Sequence, residues 1–179
     1  MPSPDPAAVL SRGLAVFPIP AGLKHTPGWQ DTSIADAEQL RRLWRDGDNI
    51  GIGCRDNGLV VLDLDRKNGL DGVADLKARC AEARQPWPDT FTVSTPSGGL
   101  HLYYRLPAGR VIGSTSKGRS RLGLGVDTRG PGRRHGGYVV GPGSLIEGRP
   151  YEVRHDLVII ELPSWIADTL ENATAAVRR

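Results

Sequence analysis

The chain has 179 residues, of which 39% are hydrophobic and 24% are charged, and its formal net charge is +3. This composition is typical of a folded globular domain and excludes an intrinsically disordered chain. No apolar run approaches the roughly 20 residues of a membrane helix, and the N-terminus has no signal-peptide pattern. Two cysteines, Cys54 and Cys80, are too few for a zinc site of four cysteines. We therefore expect a cytoplasmic protein with no membrane partner and no zinc.

The first predicted elements are two strands with a helix between them. Residues 13–19 (GLAVFPI) and 49–53 (NIGIG) are apolar runs bounded by loop-forming residues. Asp36 and Gln39 match a capping box, which predicts a helix over about 37–46. Strand and helix signals therefore alternate from the beginning of the chain.

The strongest strand signal follows at residues 58–65 (GLVVLDLD), which are apolar and end in two acids. Asp71 predicts the N-cap of a helix near 72–84. Residues 90–95 (TFTVST) and 100–106 (LHLYYRL) predict two strands joined by a glycine turn, which indicates a hairpin.

The second half begins with a basic loop over 107–122 that is rich in glycine and serine. Residues 122–130 and 137–144 predict two more strands around a second glycine-rich turn, and RPYEVR predicts a late strand. A closing helix is expected over about 163–176, with proline in its first turn. The interleaved helices and hairpins favour an α/β or α+β fold with a mixed sheet over a doubly wound parallel sheet.

Three acids lie at predicted strand ends. Asp63 and Asp65 are two positions apart, so they project from one face, and two close carboxylates favour a hard divalent cation such as Mg²⁺ or Mn²⁺. Asp127 would complete a set of three acids holding two metals, an arrangement suited to in-line phosphoryl transfer. Alternatively, the first two acids lie in solvent or pair with Arg66 and Lys67, and Asp127 only forms a turn.

The glycine turn between the hairpin strands predicts an anion site. Gly98 and Gly99 allow backbone amides to turn toward a phosphate, Ser97 adds a hydroxyl donor, and His101 can donate to a phosphate oxygen. The alternative is an ordinary glycine hairpin with a partly buried histidine.

Positive charge is concentrated in residues 105–134, which carry eight basic residues and one acid. This distribution suits a polyanionic partner such as nucleic acid. A solvated basic loop is the alternative.

Five segments occur in a fixed order along the chain: GLAVFPIPAGLKHTPGWQD, DNIGIG, GLVVLDLD, TVSTPSGGLHLYYRLP and GVDTRG…GGYVVGPGS. In that order they resemble the N-terminal primase–polymerase domain of the archaeo-eukaryotic primase superfamily, found in replication proteins of plasmids and phages. The resemblance implies an α+β fold. It places a small N-terminal α/β lobe over about 12–57 and a catalytic core with a mixed sheet, similar to an RNA-recognition motif, over about 58–165.

The resemblance also implies roles for individual residues. The metal ligands, for two Mg²⁺ or Mn²⁺ ions, are Asp63, Asp65 and Asp127. Nucleotide binding is implied for Ser97, Gly98, Gly99, His101, Lys24, Arg129 and Ser144. We expect the DNA template to contact the basic stretch through Arg119, Arg121, Arg133 and Arg134. The turn that carries the last two is longer than is usual in the family, so it either touches DNA or forms a surface loop.

The resemblance implies a DNA primase and DNA polymerase, a template-directed nucleotidyltransferase that acts on single-stranded DNA with NTPs or dNTPs. A helicase domain or a separate helicase is the expected partner. The alternative is a non-catalytic DNA-binding module of a replication initiator. A metal-dependent nuclease with the same acids is disfavoured, because a nuclease has no triphosphate for the glycine turn to hold.

Overall fold

The computed structural model describes residues 4–134 and 136–176 of the chain. The helices are α1 (Pro6–Leu10), α2 (Ala37–Leu43), α3 (Cys54–Asn57), α4 (Gly72–Glu82) and α5 (Ser164–Ala176), with a 3₁₀ turn at Trp29–Asp31. The strands are β1 (Phe17–Ile19), β2 (Asn49–Gly53), β3 (Leu59–Leu64), β4 (Thr92–Ser94), β5 (Leu100–Arg105), β6 (Val126–Arg129), β7 (Tyr138–Val140), β8 (Leu145–Ile146), β9 (Arg149–Pro150) and β10 (Glu152–His155). None of the described helices is long and apolar enough to cross a membrane.

The largest sheet has five strands in the order β10-β4-β5-β3-β6. Strand β3 lies between β5 and β6, one strand from the edge of the sheet, and both neighbours run antiparallel to it. Its sequence is apolar at nearly every position because both faces of the sheet are covered, which removes the usual alternation of apolar and polar residues.

The two faces of this sheet pack against different partners. Val60, Leu62 and Leu64 are fully buried against apolar residues of α4 and α5. Leu59 and Val61 point to the opposite face and join a second apolar cluster with the N-terminal strands. This division follows from the two-residue period of a strand.

The opposite face is covered by a three-stranded antiparallel sheet in the order β1-β2-β7. The strands predicted around the second glycine-rich turn both form, but they do not pair with each other. Strand β6 pairs with β3, whereas β7 pairs with β2, so residues 130–137 carry the chain from one sheet to the other. Residues 138–140, which the predicted division assigns to the core, therefore complete the smaller sheet.

The predicted α+β class is confirmed, as are the NIGIG strand, the β4–β5 hairpin and the helix capped by Asp71. The sheets differ from the expected mixed sheet in one respect, since their strand pairs are antiparallel. Within the described ranges, the one parallel pairing is an isolated bridge between Arg105 and Glu161. The division at residue 58 and the closer likeness to an RNA-recognition motif stay predictions.

Candidate active site

Strand pairing places three of the predicted site residues in one row. Asp63 on β3 lies directly opposite His101 on β5 and directly opposite Asp127 on β6. Opposite residues of antiparallel strands have Cβ atoms about 5 Å apart, so these side chains share one face at the same level of the sheet. Residues 63, 101 and 127 are thus brought together by register alone.

Two members of the row, Asp63 and His101, line a cleft of about 560 Å³ between the two sheets. Asp63, Asp65, Ser97, His101 and Arg129 line one side of it, where the apolar packing of the two sheets ends. The other side is formed by β7 and the loop after β1. The cleft is therefore the place where the predicted acidic and phosphate-binding residues meet solvent.

Asp65 lies one residue beyond β3, but its backbone is fixed from two sides. Its N–H donates to the Gly125 carbonyl at 2.8 Å, and its carbonyl accepts from the Gly72 N–H at 2.8 Å. Gly72 and Gly125 touch each other, and a Cβ on Gly72 would collide with the Gly125 carbonyl oxygen. Asp75 accepts from the Gly125 N–H at 2.8 Å and completes the clamp. The start of α4 and the start of β6 therefore hold the second acid in place.

Each acid of the site faces a cation. Lys67 Nζ lies 2.7 Å from Asp65 Oδ1, whereas Arg66, the other partner considered for this acid pair, bonds to Asp71. The guanidinium of Arg129 lies 3.4 Å from Asp127 and 3.6 Å from Asp63. His101 Nε2 is 3.5 Å from Asp63 Oδ1. The charges of Lys67 and Arg129 offset the repulsion between the carboxylates.

The two neighbouring acids of the row have pKa values displaced in opposite directions. Burial raises the pKa of Asp63, but His101, Arg129 and Lys67 outweigh it, so the pKa lies below its usual value. Burial is also the largest cause for Asp127, whose pKa is raised because the charges of Asp63 and Asp65 add to it. Asp63 is the stronger acid of the pair and keeps its charge at lower pH.

The donor set fits a hard divalent cation, since three half-buried carboxylates with oxygen ligands are what Mg²⁺ and Mn²⁺ prefer. In the conformation described for residues 4–134 and 136–176, no three His, Cys, Asp or Glu side chains are drawn close enough to hold a metal ion. The three carboxylates would have to approach one another to share one.

The glycine turn is organised by Thr95. The Gly98 N–H donates to the Thr95 carbonyl at 2.9 Å, and the Gly99 N–H donates to Thr95 Oγ1 at 3.1 Å. Both amides are therefore used inside the turn, which corrects the expectation that they point at an anion. Gly99 instead permits close approach, because a Cβ there would collide with the Leu64 carbonyl at the end of β3. Ser97 is the exposed hydroxyl of this turn and lines the cleft.

His101 is 5% exposed, and its Nδ1 has no hydrogen-bond partner among the described residues. Its ring lies 5.6 Å from that of Tyr151, which also lines the cleft. Burial, followed by the nearby charges of Asp63 and Asp65, raises the pKa of Tyr151 to about 12. Tyr151 is thus a neutral group beside the acids. Nothing in its sequence surroundings predicts this position.

The opposite wall of the cleft carries an aromatic group. Trp29 stacks on Phe17 at 5.3 Å between ring centroids and lies 4.8 Å from the Tyr138 ring. The Tyr138 hydroxyl donates to the Lys24 carbonyl at 3.0 Å and therefore accepts from His25 Nδ1, also at 3.0 Å. These bonds fix the backbone of the Lys24 loop, and the Lys24 side chain lines the cleft across from the acids.

One predicted nucleotide-binding residue lies elsewhere. Ser144 is fully buried, and its Oγ accepts a hydrogen bond from the Ile50 N–H at 2.8 Å. The Ser144 carbonyl accepts from the Tyr151 N–H at 2.9 Å. Its hydroxyl therefore supports β2 and does not face the cleft, while its backbone positions Tyr151.

The predicted template-binding residues are exposed and lie outside the cleft; they are Arg119, Arg121, Arg133 and Arg134. The long turn is held at its base, where Arg55 donates to the carbonyls of Arg133 and Arg134 at 3.0 and 2.9 Å. His135, which belongs to the same turn, lies outside the described residues.

Residues 6–165 match the sequence model of a family described as bifunctional DNA primase/polymerase, N-terminal. The match spans almost the whole described chain and includes the acids, the glycine turn and both walls of the cleft. A search of curated proteins finds no match.

Proposed function

Because the chain belongs to the bifunctional DNA primase/polymerase N-terminal family, we propose that it is a template-directed nucleotidyltransferase acting on single-stranded DNA with NTPs or dNTPs. At the level of the family, its function is of the primase/polymerase type in DNA replication, with DNA and nucleotides as substrates. The proposal adds the reaction class, the residues and the metal.

The observation that supports this most strongly is the row of Asp127, Asp63 and His101 across three strands, with Asp65 beside it at the edge of the cleft. A protein that only binds DNA gains nothing from carboxylates that repel phosphates. Phosphoryl transfer, in contrast, needs clustered acids beside groups that hold a triphosphate.

In this proposal Asp63, Asp65 and Asp127 hold two Mg²⁺ or Mn²⁺ ions. When bound, such ions lower the pKa of an attacking 3′-hydroxyl and neutralise charge on the triphosphate and its leaving group. The pKa of Asp63 lies below its usual value, which favours the charged form that an oxygen ligand must take.

The remaining residues of the cleft suit the triphosphate. Lys24 and Arg129 supply positive charge from opposite sides, and Ser97 and His101 supply neutral or charged hydrogen-bond donors between them. The position of Asp63 within 3.5 Å of His101 Nε2 orients the imidazole, since the ring nitrogen that faces a carboxylate carries the proton.

The exposed arginines of the basic stretch are proposed to follow the template backbone. Each phosphate contact adds to the salt dependence of binding, so replacing one such arginine should reduce the slope of log affinity against log salt by about 1. A helicase domain or separate helicase remains the proposed partner.

The test is primer synthesis on single-stranded DNA with labelled nucleotides and Mg²⁺ or Mn²⁺. The variant Asp63→Ala/Asp65→Ala should lose at least about 100-fold of the activity, a loss typical of removing groups that stabilise charge in the transition state. DNA binding should be unchanged or tighter, because two charges that repel phosphates are gone. The matched control is Asp46→Ala/Asp48→Ala, which removes two acids of the same spacing away from the cleft.

Retained synthesis by the Asp63→Ala/Asp65→Ala variant would contradict the proposed site. Extension of a supplied primer without initiation would indicate a polymerase that needs a partner to start chains. Absence of both activities, with salt-sensitive DNA binding intact, would replace the proposal by the DNA-binding module.

A further inference from the structure

An exposed cation contacts the acids from the turn after β3. The Nζ of Lys67 is 2.7 Å from Oδ1 of Asp65. Lys67 lines the same cleft as Asp63 and Asp65, and Asp127 lies directly opposite Asp63 in the sheet. The ammonium is therefore beside the carboxylates that we assign to the metal.

Arg129, a second cation beside these acids, is less free to move than Lys67. Arg129 also faces Asp63 and Asp127, but its side chain is 29% exposed and its other guanidinium nitrogen donates to the Thr115 carbonyl at 3.4 Å. The Lys67 side chain is 54% exposed, and a flexible four-carbon stem carries its charge. Lys67 is thus the cation that can leave the acids without disturbing the core.

The positive charge of Lys67 has opposite effects on the binding of two ligands in the cleft, a free divalent cation and a complex of that cation with a nucleotide. A free divalent cation bound by the three carboxylates meets the ammonium as a like charge, which weakens its binding. A complex of a divalent cation with a nucleoside triphosphate keeps a net negative charge. The same ammonium, once displaced from Asp65, attracts that complex through its phosphate oxygens.

We propose that Lys67 competes with free divalent metal for Asp63, Asp65 and Asp127 and favours metal that arrives bound to a nucleoside triphosphate. Lys67 thereby couples metal loading to nucleotide loading. The inference rests on the proposed function, because it takes the three acids as metal ligands and the cleft as the nucleotide site.

The first measurement is Mn²⁺ binding to the protein without nucleotide, followed by the electron paramagnetic resonance signal of the free ion. Lys67→Met should bind Mn²⁺ about two- to fivefold more tightly than wild type, the range that an exposed ion pair is worth. Arg66→Met is the matched control, since Arg66 is adjacent, similarly exposed and paired with Asp71 instead of the site acids. It removes the same charge and should leave Mn²⁺ affinity unchanged. Lys67→Arg should restore the wild-type value.

The second measurement is calorimetric binding of a deoxynucleoside triphosphate with an imido group between its α- and β-phosphates, in saturating Mn²⁺. Lys67→Met should bind this analogue about two- to fivefold more weakly, because one phosphate-facing charge is lost. Tighter metal and weaker nucleotide binding in one variant is the expected signature. A variant that binds both ligands more weakly would overturn the competition, because Lys67 would then only position Asp65.

The failures of the two proposals are distinguishable. If Asp63→Ala/Asp65→Ala loses Mn²⁺ binding while Lys67→Met and wild type bind Mn²⁺ equally, only the competition is overturned. Equal shifts in Lys67→Met and Arg66→Met would also overturn it, since they would indicate net charge alone. If wild type binds Mn²⁺ no better than the double variant, the proposed metal site falls together with the competition.

Discussion

The two faces of the five-stranded sheet differ in what the side chains of β3 contact. On the face toward α4 and α5, Val60, Leu62 and Leu64 are fully buried along the whole length of β3. On the other face, Leu59 and Val61 are equally buried, but the next residue of that face is Asp63. The apolar cover supplied by the small sheet ends there. One face is therefore packed throughout, whereas the other changes from apolar packing to the proposed site within two residues.

Tyr103 and Tyr104 show the same difference with a single residue type. Both are fully buried, on opposite faces of β5. The Tyr104 hydroxyl, on the helix side, donates to the Pro88 carbonyl at 2.7 Å. The Tyr103 hydroxyl, on the cleft side, has no hydrogen-bond partner in the described part of the chain. Of these two hydroxyls, the one on the helix side is therefore satisfied and the one on the cleft side is not.

The largest expected effect comes from opening a cavity on the helix face. Leu62→Ala should lower the free energy of unfolding by about 2–5 kcal/mol, because a fully buried leucine leaves an unfilled space. Mn²⁺ affinity of the folded protein should not change, since Leu62 points away from the acids. Urea denaturation measures the first quantity. Leu124→Ala is the control, because Leu124 is 71% exposed and its loss should cost less than about 0.5 kcal/mol. Equal losses would remove the distinction.

A smaller effect should separate the two tyrosines. Tyr104→Phe should cost about 1 kcal/mol of unfolding free energy, because it leaves the buried Pro88 carbonyl without its donor. Tyr103→Phe should be neutral or slightly stabilising, since it removes a buried hydroxyl that has no partner. Urea denaturation of both variants tests this. A larger loss for Tyr103→Phe would mean that the cleft side depends on a hydrogen bond of that hydroxyl.

The smallest expected effect on stability concerns Asp71, which caps the N-terminus of α4. Its hydrogen bonds with Arg66, Ala74 and Val73 lower its pKa from 3.8 to about 2. A carboxyl with a depressed pKa in the folded state stabilises the protein above its unfolded pKa and loses that contribution as pH falls toward the folded value. Asp71→Asn should therefore remove a small part of the acid destabilisation between about pH 4 and pH 2. Urea midpoints of the variant and wild type across this range provide the test, and parallel curves would contradict it.

The sequence was sufficient for elements whose signals are local. The run at β3, the Asp71 cap and the β4–β5 turn each depend on residues within a few positions of one another, and all three are present. The sequence also indicated that Asp63 and Asp127 lie together, because both are at predicted strand ends and both belong to the acid set that the family resemblance implies. The hydrogen bonds of the Gly98 and Gly99 amides could not be predicted, because both amides donate to Thr95 within the turn.

Features that depend on the path between sheets were not predictable from local patterns. Strand β7 pairs with β2 because residues 130–137 carry the chain to the smaller sheet. A glycine-rich turn between two strands is equally compatible with a hairpin, so the sequence alone did not distinguish the two pairings. Ser144 follows β7 and therefore also lies in the core, where its Oγ accepts a hydrogen bond from the Ile50 N–H of β2. Lys67 and Tyr151 reach the cleft through loop geometry that no spacing encodes.

The return of β7 to the small sheet has a consequence for how the molecule folds. β1 and β2 are complete by residue 53, but their third strand is 85 residues further along the chain than the end of β2 (138 minus 53). Closing a loop of this length costs entropy, so we expect the β2–β7 pairing to form after the local pairings of the five-stranded sheet. A fragment of residues 12–57 would lack one of the strands of its own sheet. The wall of the cleft that β7 contributes is therefore completed only when this distant pairing is made.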